Sequence, residues 1–137
     1  MINKYEIQAV KVASAALSKI ENRLLELVYL KTIAKGKSIS VTEEVRIESS
    51  EYQIHFGCSK EVAWDELKES TNMLFERAIC FTQLSPTGNT EVVKSRWVGQ
   101  VGFSSDRTYV VLLFAPLIAN TSKAQIFYTT TKTIEKI

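Results

Sequence analysis

The sequence holds one histidine, two cysteines, two prolines and five glycines among its 137 residues. Each scarcity excludes something. A lone histidine, His55, cannot build a paired-histidine metal centre, and neither a phosphate-cradling glycine-rich loop ending in lysine nor a Gly-x-Ser-x-Gly elbow is present. No enzymatic activity, metal or cofactor is expected, and His55 reads as a packed or surface residue. The cysteines, Cys58 and Cys80, have no Cys-x-x-Cys spacing and no histidines around them, so they read as small buried apolar residues. No apolar run approaches the roughly 18 residues of a membrane span. Met1 to Ala9 lacks the charged-then-apolar layout of a secretory signal, which makes the cytoplasm the expected location.

What is there suits one ordinary domain over 1–137, with 45% hydrophobic and 23% charged residues. The net charge is only +2, but it is unevenly spread. Residues 1–40 carry seven Lys/Arg against three acids, 41–80 four against nine, and 81–137 six against three.

Loosely helical spacing of Ile7, Val10, Val12, Ala13 and Ala16 predicts a first helix over Asn3 to Ala16. Ser18 and Glu21 form a capping box that opens a second helix, Lys19 to Ile33, closed by Gly36. The β-branched stretch "SISVTEEVRI" predicts one strand or two short ones. Ser49 is the expected N-cap of a short helix ending at Gly57, and Ser59 of a longer one with a stripe of Ala63, Leu67, Leu74 and Ala78. Two apolar arms around Pro86-Thr-Gly-Asn89, then a third, "TYVVLLFAP", after Ser104 to Arg107, predict a three-stranded antiparallel element. "LIANTSKA" is expected as a short helix and "QIFYTTTKTI" as a final extended segment. Trp64, Trp97, Phe75, Phe81 and Phe114 are assigned to the core rather than to base stacking.

This order of helices, strand, helix-turn-helix and hairpin is the plan of an α+β winged helix, with the Pro86 hairpin as its wing. The helix in the recognition position is acidic: Lys60, Lys68 and Arg77 stand against Glu61, Asp65, Glu66, Glu69 and Glu76. Groove binding draws affinity from neutralised phosphates, so five carboxylates argue against base reading by this helix. Lys60 and Lys68 on it, and Lys94, Arg96 and Arg107 around the hairpin and the following turn, are the candidates for DNA contact. An ordinary solubilising role on edge strands suits the last three equally well. Tyr109 to Phe114, Tyr109-Val110-Val111-Leu112-Leu113-Phe114, lacks the alternation of a strand with one wet face. It is either a central strand covered by its own helices or a dimer interface formed by edge-to-edge pairing with a second copy.

Three stretches together resemble the N-terminal winged-helix domain of theta-type plasmid replication initiators, the Rep proteins of the RepA/RepB/RepE kind. "LSKIENRLLEL" is similar to their Leu-Thr-x-x-Glu-x-Arg-Leu helix start, with Ser18 in place of Thr. "SSEYQIHFGCSKEVAWDELKESTNMLFERAI" resembles their Glu-Tyr…Phe-Gly helix, turn and long helix ending in Leu-Phe-Glu-Arg. "RWV" and "VVLLFAPLI" resemble their Arg-Trp strand and the apolar strand ending in Phe-x-Pro. The likeness spans about Leu17 to Ile118, and "LIANTSKAQIFYT" departs from it in being shorter and more polar.

The resemblance implies a domain that dimerises and makes auxiliary backbone contacts at origin repeats, in double-stranded DNA, while a second winged helix reads the bases. Host replication factors are further partners it implies. Rolling-circle nicking initiators, which need paired histidines, are a different class. A stand-alone winged-helix regulator reading an operator is the competing expectation, and a protein-interaction module without DNA contact is a third.

Overall fold

A computed structural model describes residues 3–122, so the expected extended segment "QIFYTTTKTI" lies outside the described residues. Helix α1 (Lys4–Ala15) starts where the Asn3 carboxamide accepts the amides of Tyr5 and Glu6. Helix α2 (Lys19–Lys31) carries the capping box as read: the Ser18 amide donates to Glu21 at 3.0 Å and the Glu21 amide to the Ser18 hydroxyl at 3.3 Å. A short 3-10 turn, Ile33–Lys35, then ends at Gly36, whose φ of 77° is left-handed. Only the end of "SISVTEEVRI" forms a strand, β1 (Val45–Glu48).

Helix α3 (Ser49–Phe56) begins one residue earlier than expected. Glu48 is its N-cap and donates its amide to Glu51 at 2.9 Å, so Ser49 is the first helical residue. Gly57 ends α3 in the left-handed conformation with φ 66°, and Ser59 caps α4 (Lys60–Glu76) by accepting the Val62 amide. Ala63, Leu67 and Leu74 are buried along α4, but Ala78 lies beyond its end, exposed on the next strand.

The strands β2 (Ala78–Leu84), β3 (Thr90–Arg96), β4 (Val98–Phe103) and β5 (Tyr109–Phe114) do not form one three-stranded element. Among the described residues, β2 and β3 make a separate two-stranded hairpin, while β4 and β5 join β1 in an antiparallel sheet of order β1-β5-β4. The break is at Trp97. Its side chain is 1% exposed, and its carbonyl accepts the Ala115 amide at 3.0 Å, so burying the indole turns the chain out of one sheet and into the other. Helix α5 (Pro116–Thr121) follows, with proline in its first turn where no amide is needed, as the expected short helix.

The core joins the inner faces of α2, α4 and the β1-β5-β4 sheet, with Leu24, Leu67, Tyr52, Trp97, Leu112 and Ile118 among its largest buried side chains. Trp64, Trp97 and Phe114 are in it as expected, and Phe75 and Phe81 pack against it half-buried. The cysteines depart from expectation: Cys80 is exposed on β2 and Cys58 only half-buried. Among the described residues no helix is long and apolar enough to cross a membrane.

Candidate nucleic-acid interface

In a winged helix the wing is the hairpin that completes the sheet begun by the strand between the helices. Here that hairpin is β4-β5, not the Pro86 hairpin, because β1 pairs with β5. The wing tip is therefore the short turn Ser104 to Arg107, and β2-β3 is an additional hairpin inserted between α4 and the wing.

The wing tip is tightly built. The Arg107 amide donates to the Ser104 carbonyl at 3.2 Å, and Thr108 donates its amide to the Ser104 hydroxyl at 2.9 Å and its own hydroxyl to Asp106 at 2.6 Å. Those bonds from Thr108, with help from Ser104, hold the Asp106 carboxyl below its ordinary range. The Ser49 amide donates to the Thr108 carbonyl at 2.7 Å, which fastens the turn to the start of α3. Arg107 itself has φ 61°, a left-handed backbone that non-glycine residues adopt at a cost.

This geometry brings two of the five basic candidates together. Lys60, the first residue of α4, and Arg107 line one shallow cleft of about 260 Å³ with Ser49, Ser50 and Gln53. Ser50 and Gln53 had no distinguishing pattern in the sequence, and Ser49 only that of a helix cap; the closure of β1 onto β5 puts them beside Arg107. The neighbouring depression, about 420 Å³, adds Glu61, Asp65 and Asp106, so the surroundings are mixed in charge.

The remaining three candidates sit elsewhere. Lys68 stands exposed on α4, and Lys94 and Arg96 lie exposed on β3. Arg96 is also occupied, because its guanidinium donates to the Phe75 carbonyl at 3.2 Å and so caps the end of α4. Lys60 with Arg107 and Arg96 thus mark opposite ends of a 17-residue helix roughly 25 Å long, and Lys94 lies two residues before Arg96 on β3.

The charge of α4 is sorted by the fold. Glu66 turns inward, accepting from the Tyr52 hydroxyl at 2.6 Å and from Arg23 at 3.1 Å. Burial, and then the bond to Glu66, push the Tyr52 phenol well above its usual range. Arg77 also turns inward, gripping the fully buried Glu21 through two bonds of 2.7 Å. Burial alone would raise the Glu21 carboxyl, but bonds from Arg77 and Ser18 outweigh it and leave the group below its ordinary value. Lys60 and Lys68 then face Glu61, Asp65, Glu69 and Glu76 on the exposed side, still two charges in deficit.

These inward groups went unread as partners in the sequence, although Ser18, Glu21 and Arg77 belong to the stretches that carry the family resemblance. Their function is to bind α2, α3 and α4 together. His55, exposed on α3, joins that lattice at 2.6 Å from Glu26 on α2.

The strand Tyr109 to Phe114 also needs correction. β5 is central, paired with β1 from Val45↔Leu112 to Glu48↔Tyr109 and with β4 from Val98↔Phe114 to Phe103↔Val110. Neither edge of β5 is open, so edge-to-edge pairing through it is ruled out. Val110, Leu112 and Phe114 face the core, while Tyr109, Val111 and Leu113 stand half-buried on the opposite face. Gly102 lies opposite Val111, and a Cβ there would come within 2.7 Å of a Val111 methyl. Arg46 stacks over the Tyr109 ring at 3.6 Å and pairs with Glu48, covering one end of this face.

Comparison with solved structures places the fold. The WH1 domain of MSBI1.176, a replication protein isolated from a multiple sclerosis patient, superposes with a TM-score of 0.77 at 27% identity, over 90% of this chain and 95% of that one. The Pi initiator protein, solved in complex with iteron DNA, superposes with a TM-score of 0.63 at 17% identity, over 86% of this chain and 46% of that one. A comparison with curated proteins finds no match. The family model described as initiator replication protein, WH1, matches residues 4–133, nearly the whole sequence, and the chain belongs to that family.

Proposed function

We propose that this chain is a DNA-binding domain of a plasmid replication initiator. It touches the sugar-phosphate backbone of double-stranded origin repeats and self-associates, leaving base reading to a second winged helix in a longer protein. One observation carries the reading: the recognition-position helix offers an acidic exposed face, while the cations Lys60 and Arg107 converge at its N-terminal end beside the wing tip. Backbone contact needs only such cations, whereas base reading would press four carboxylates against phosphates. The Pi structure supports it, since that initiator was solved on iteron DNA and its chain is about twice as long as the part matched. Lys68, Lys94 and Arg96 are secondary contacts in this reading, and host replication factors are further partners.

The dimer surface is the outer face of the sheet, centred on Tyr109, Val111 and Leu113. Their half-buried side chains and the bare Gly102 make a flat apolar patch suited to an identical patch across a twofold axis.

Titrating a duplex iteron at increasing salt tests the reading. Weak, sequence-indifferent binding is expected, with the slope of log K against log salt shrinking by about two when Lys60 and Arg107 are both replaced by alanine. Tight, sequence-specific binding by this chain alone would favour a stand-alone regulator instead.

A further inference from the structure

The two faces of the hairpin β2-β3 differ in kind. Its register pairs even-numbered residues with even-numbered ones, from Ala78↔Arg96 to Leu84↔Thr90, and paired residues share a face. The odd-numbered face looks inward: Ile79 is buried, Phe81 packs against the core, and Gln83 accepts from the Asn3 carboxamide at 3.3 Å. The eight even-numbered side chains are all exposed. None of them is acidic, because the hairpin's one carboxylate, Glu91, is odd-numbered and accepts from Gln83 at 3.1 Å.

Along that outer face the apolar and cationic groups are separated. Leu84 and Val92, 57% and 69% exposed, are diagonal neighbours beside the hairpin loop, while Lys94 and Arg96 stand toward the other end. Adjoining aliphatic side chains in water favour a partner, and two cations without a carboxylate favour an anionic one. A second copy set face to face would bring cation against cation. The loop end is firmly closed, with the Ser85 amide donating to the Asn89 carbonyl at 2.8 Å and the Gly88 amide to the Ser85 carbonyl at 3.0 Å. The major groove of DNA, about 12 Å wide, admits a two-stranded ribbon, whose strands stand about 4.8 Å apart. This ribbon meets phosphates without the carboxylates that α4 would bring.

We propose that the outer face of β2-β3 lies in the major groove of double-stranded DNA, with Leu84 and Val92 against thymine 5-methyl groups and Lys94 and Arg96 against phosphates. Such contact presupposes the DNA binding proposed above and adds the element that enters the groove. Methyl contact discriminates too weakly to spell out a repeat, so it leaves that task to a second winged helix.

Deoxyuridine lacks only that methyl group, which supplies the test. The full chain is titrated at low salt on two duplexes of one sequence, one carrying thymine and the other deoxyuridine throughout, and the thymine duplex should bind about threefold more tightly or better. Leu84→Ser with Val92→Ser should make the two affinities equal, with salt slope and far-UV dichroism unchanged, since both side chains are exposed. Equal affinities in the unaltered chain, or a preference that survives in the double variant, would take the ribbon out of the groove while leaving backbone contact standing. Absence of binding to either duplex would overturn both readings. Loss of self-association in sedimentation by the double variant, with the thymine preference retained, would overturn the groove contact and assign the face to a second copy.

Discussion

Glu21 is a buried carboxylate whose charge is matched by one arginine and one capping serine. Removing a single partner of such a pair leaves an uncompensated charge, so Arg77→Met should cost about 3 kcal/mol in urea unfolding. Glu21→Gln combined with Arg77→Met should cost clearly less than that. The pair also fixes an acid response. The Glu21 carboxyl lies below its ordinary value of 4.5 in the folded chain, so the unfolded chain takes up that proton first on acidification. Its stabilisation is full above that value and is lost as pH falls through the folded one, and Glu21→Gln should flatten the acid limb of the stability profile. Arg107 shows the opposite balance. Glycine adopts its φ of 61° without penalty, so Arg107→Gly should raise the thermal midpoint, by about 1 kcal/mol of stability, while weakening DNA retention on a heparin-like or duplex matrix.

Between elements, the hairpin β2-β3 is pinned to α4 by Arg96, whose guanidinium caps the Phe75 carbonyl. Lys94 has no such duty. Lys94→Ala should therefore lower the salt slope of DNA binding by about one with stability unchanged, and Arg96→Ala should cost about 1 kcal/mol in urea unfolding. Equal slope losses in both variants would assign Arg96 to phosphate as well. The same elements define what a sequence can disclose. Asn3, Ser18, Gly36, Gly57 and Ser59 act on residues within four positions of themselves, and the helix ends they mark were legible. Trp97 was not legible as a pivot, because "SRWVGQV" reads as one β-branched run and only burial of the indole in the finished core bends it. The misassigned wing followed from that. The choice between a central and an edge-pairing β5 was open as well, since which strands flank "YVVLLF" depends on β1, which lies more than sixty residues earlier, and the central alternative is the one that holds. The cationic candidates were readable one by one; that Lys60 meets Arg107 and that Arg96 caps a helix were not.

For the molecule as a whole, the outer face of β1-β5-β4 is where a second copy is expected. Leu113→Lys places a charge in the middle of that patch without touching the core-facing Leu112. Sedimentation should shift from dimer toward monomer with secondary structure intact, and a wild-type chain that is monomeric at high concentration would remove the patch from consideration. Helix α4, meanwhile, does more than hold the core, because its length of roughly 25 Å separates the cleft of Lys60 and Arg107 from the end at which Arg96 of the inserted hairpin docks. Measured along a duplex, that spacing is about seven base pairs, some two-thirds of a helical turn. Two points so spaced on straight B-form DNA look out over different sides of the helix. If one duplex meets both ends of α4, as proposed, curvature toward the protein shortens the reach, so bent repeats should be held more tightly than straight ones of the same composition, and equal affinity would confine the contacts to one end.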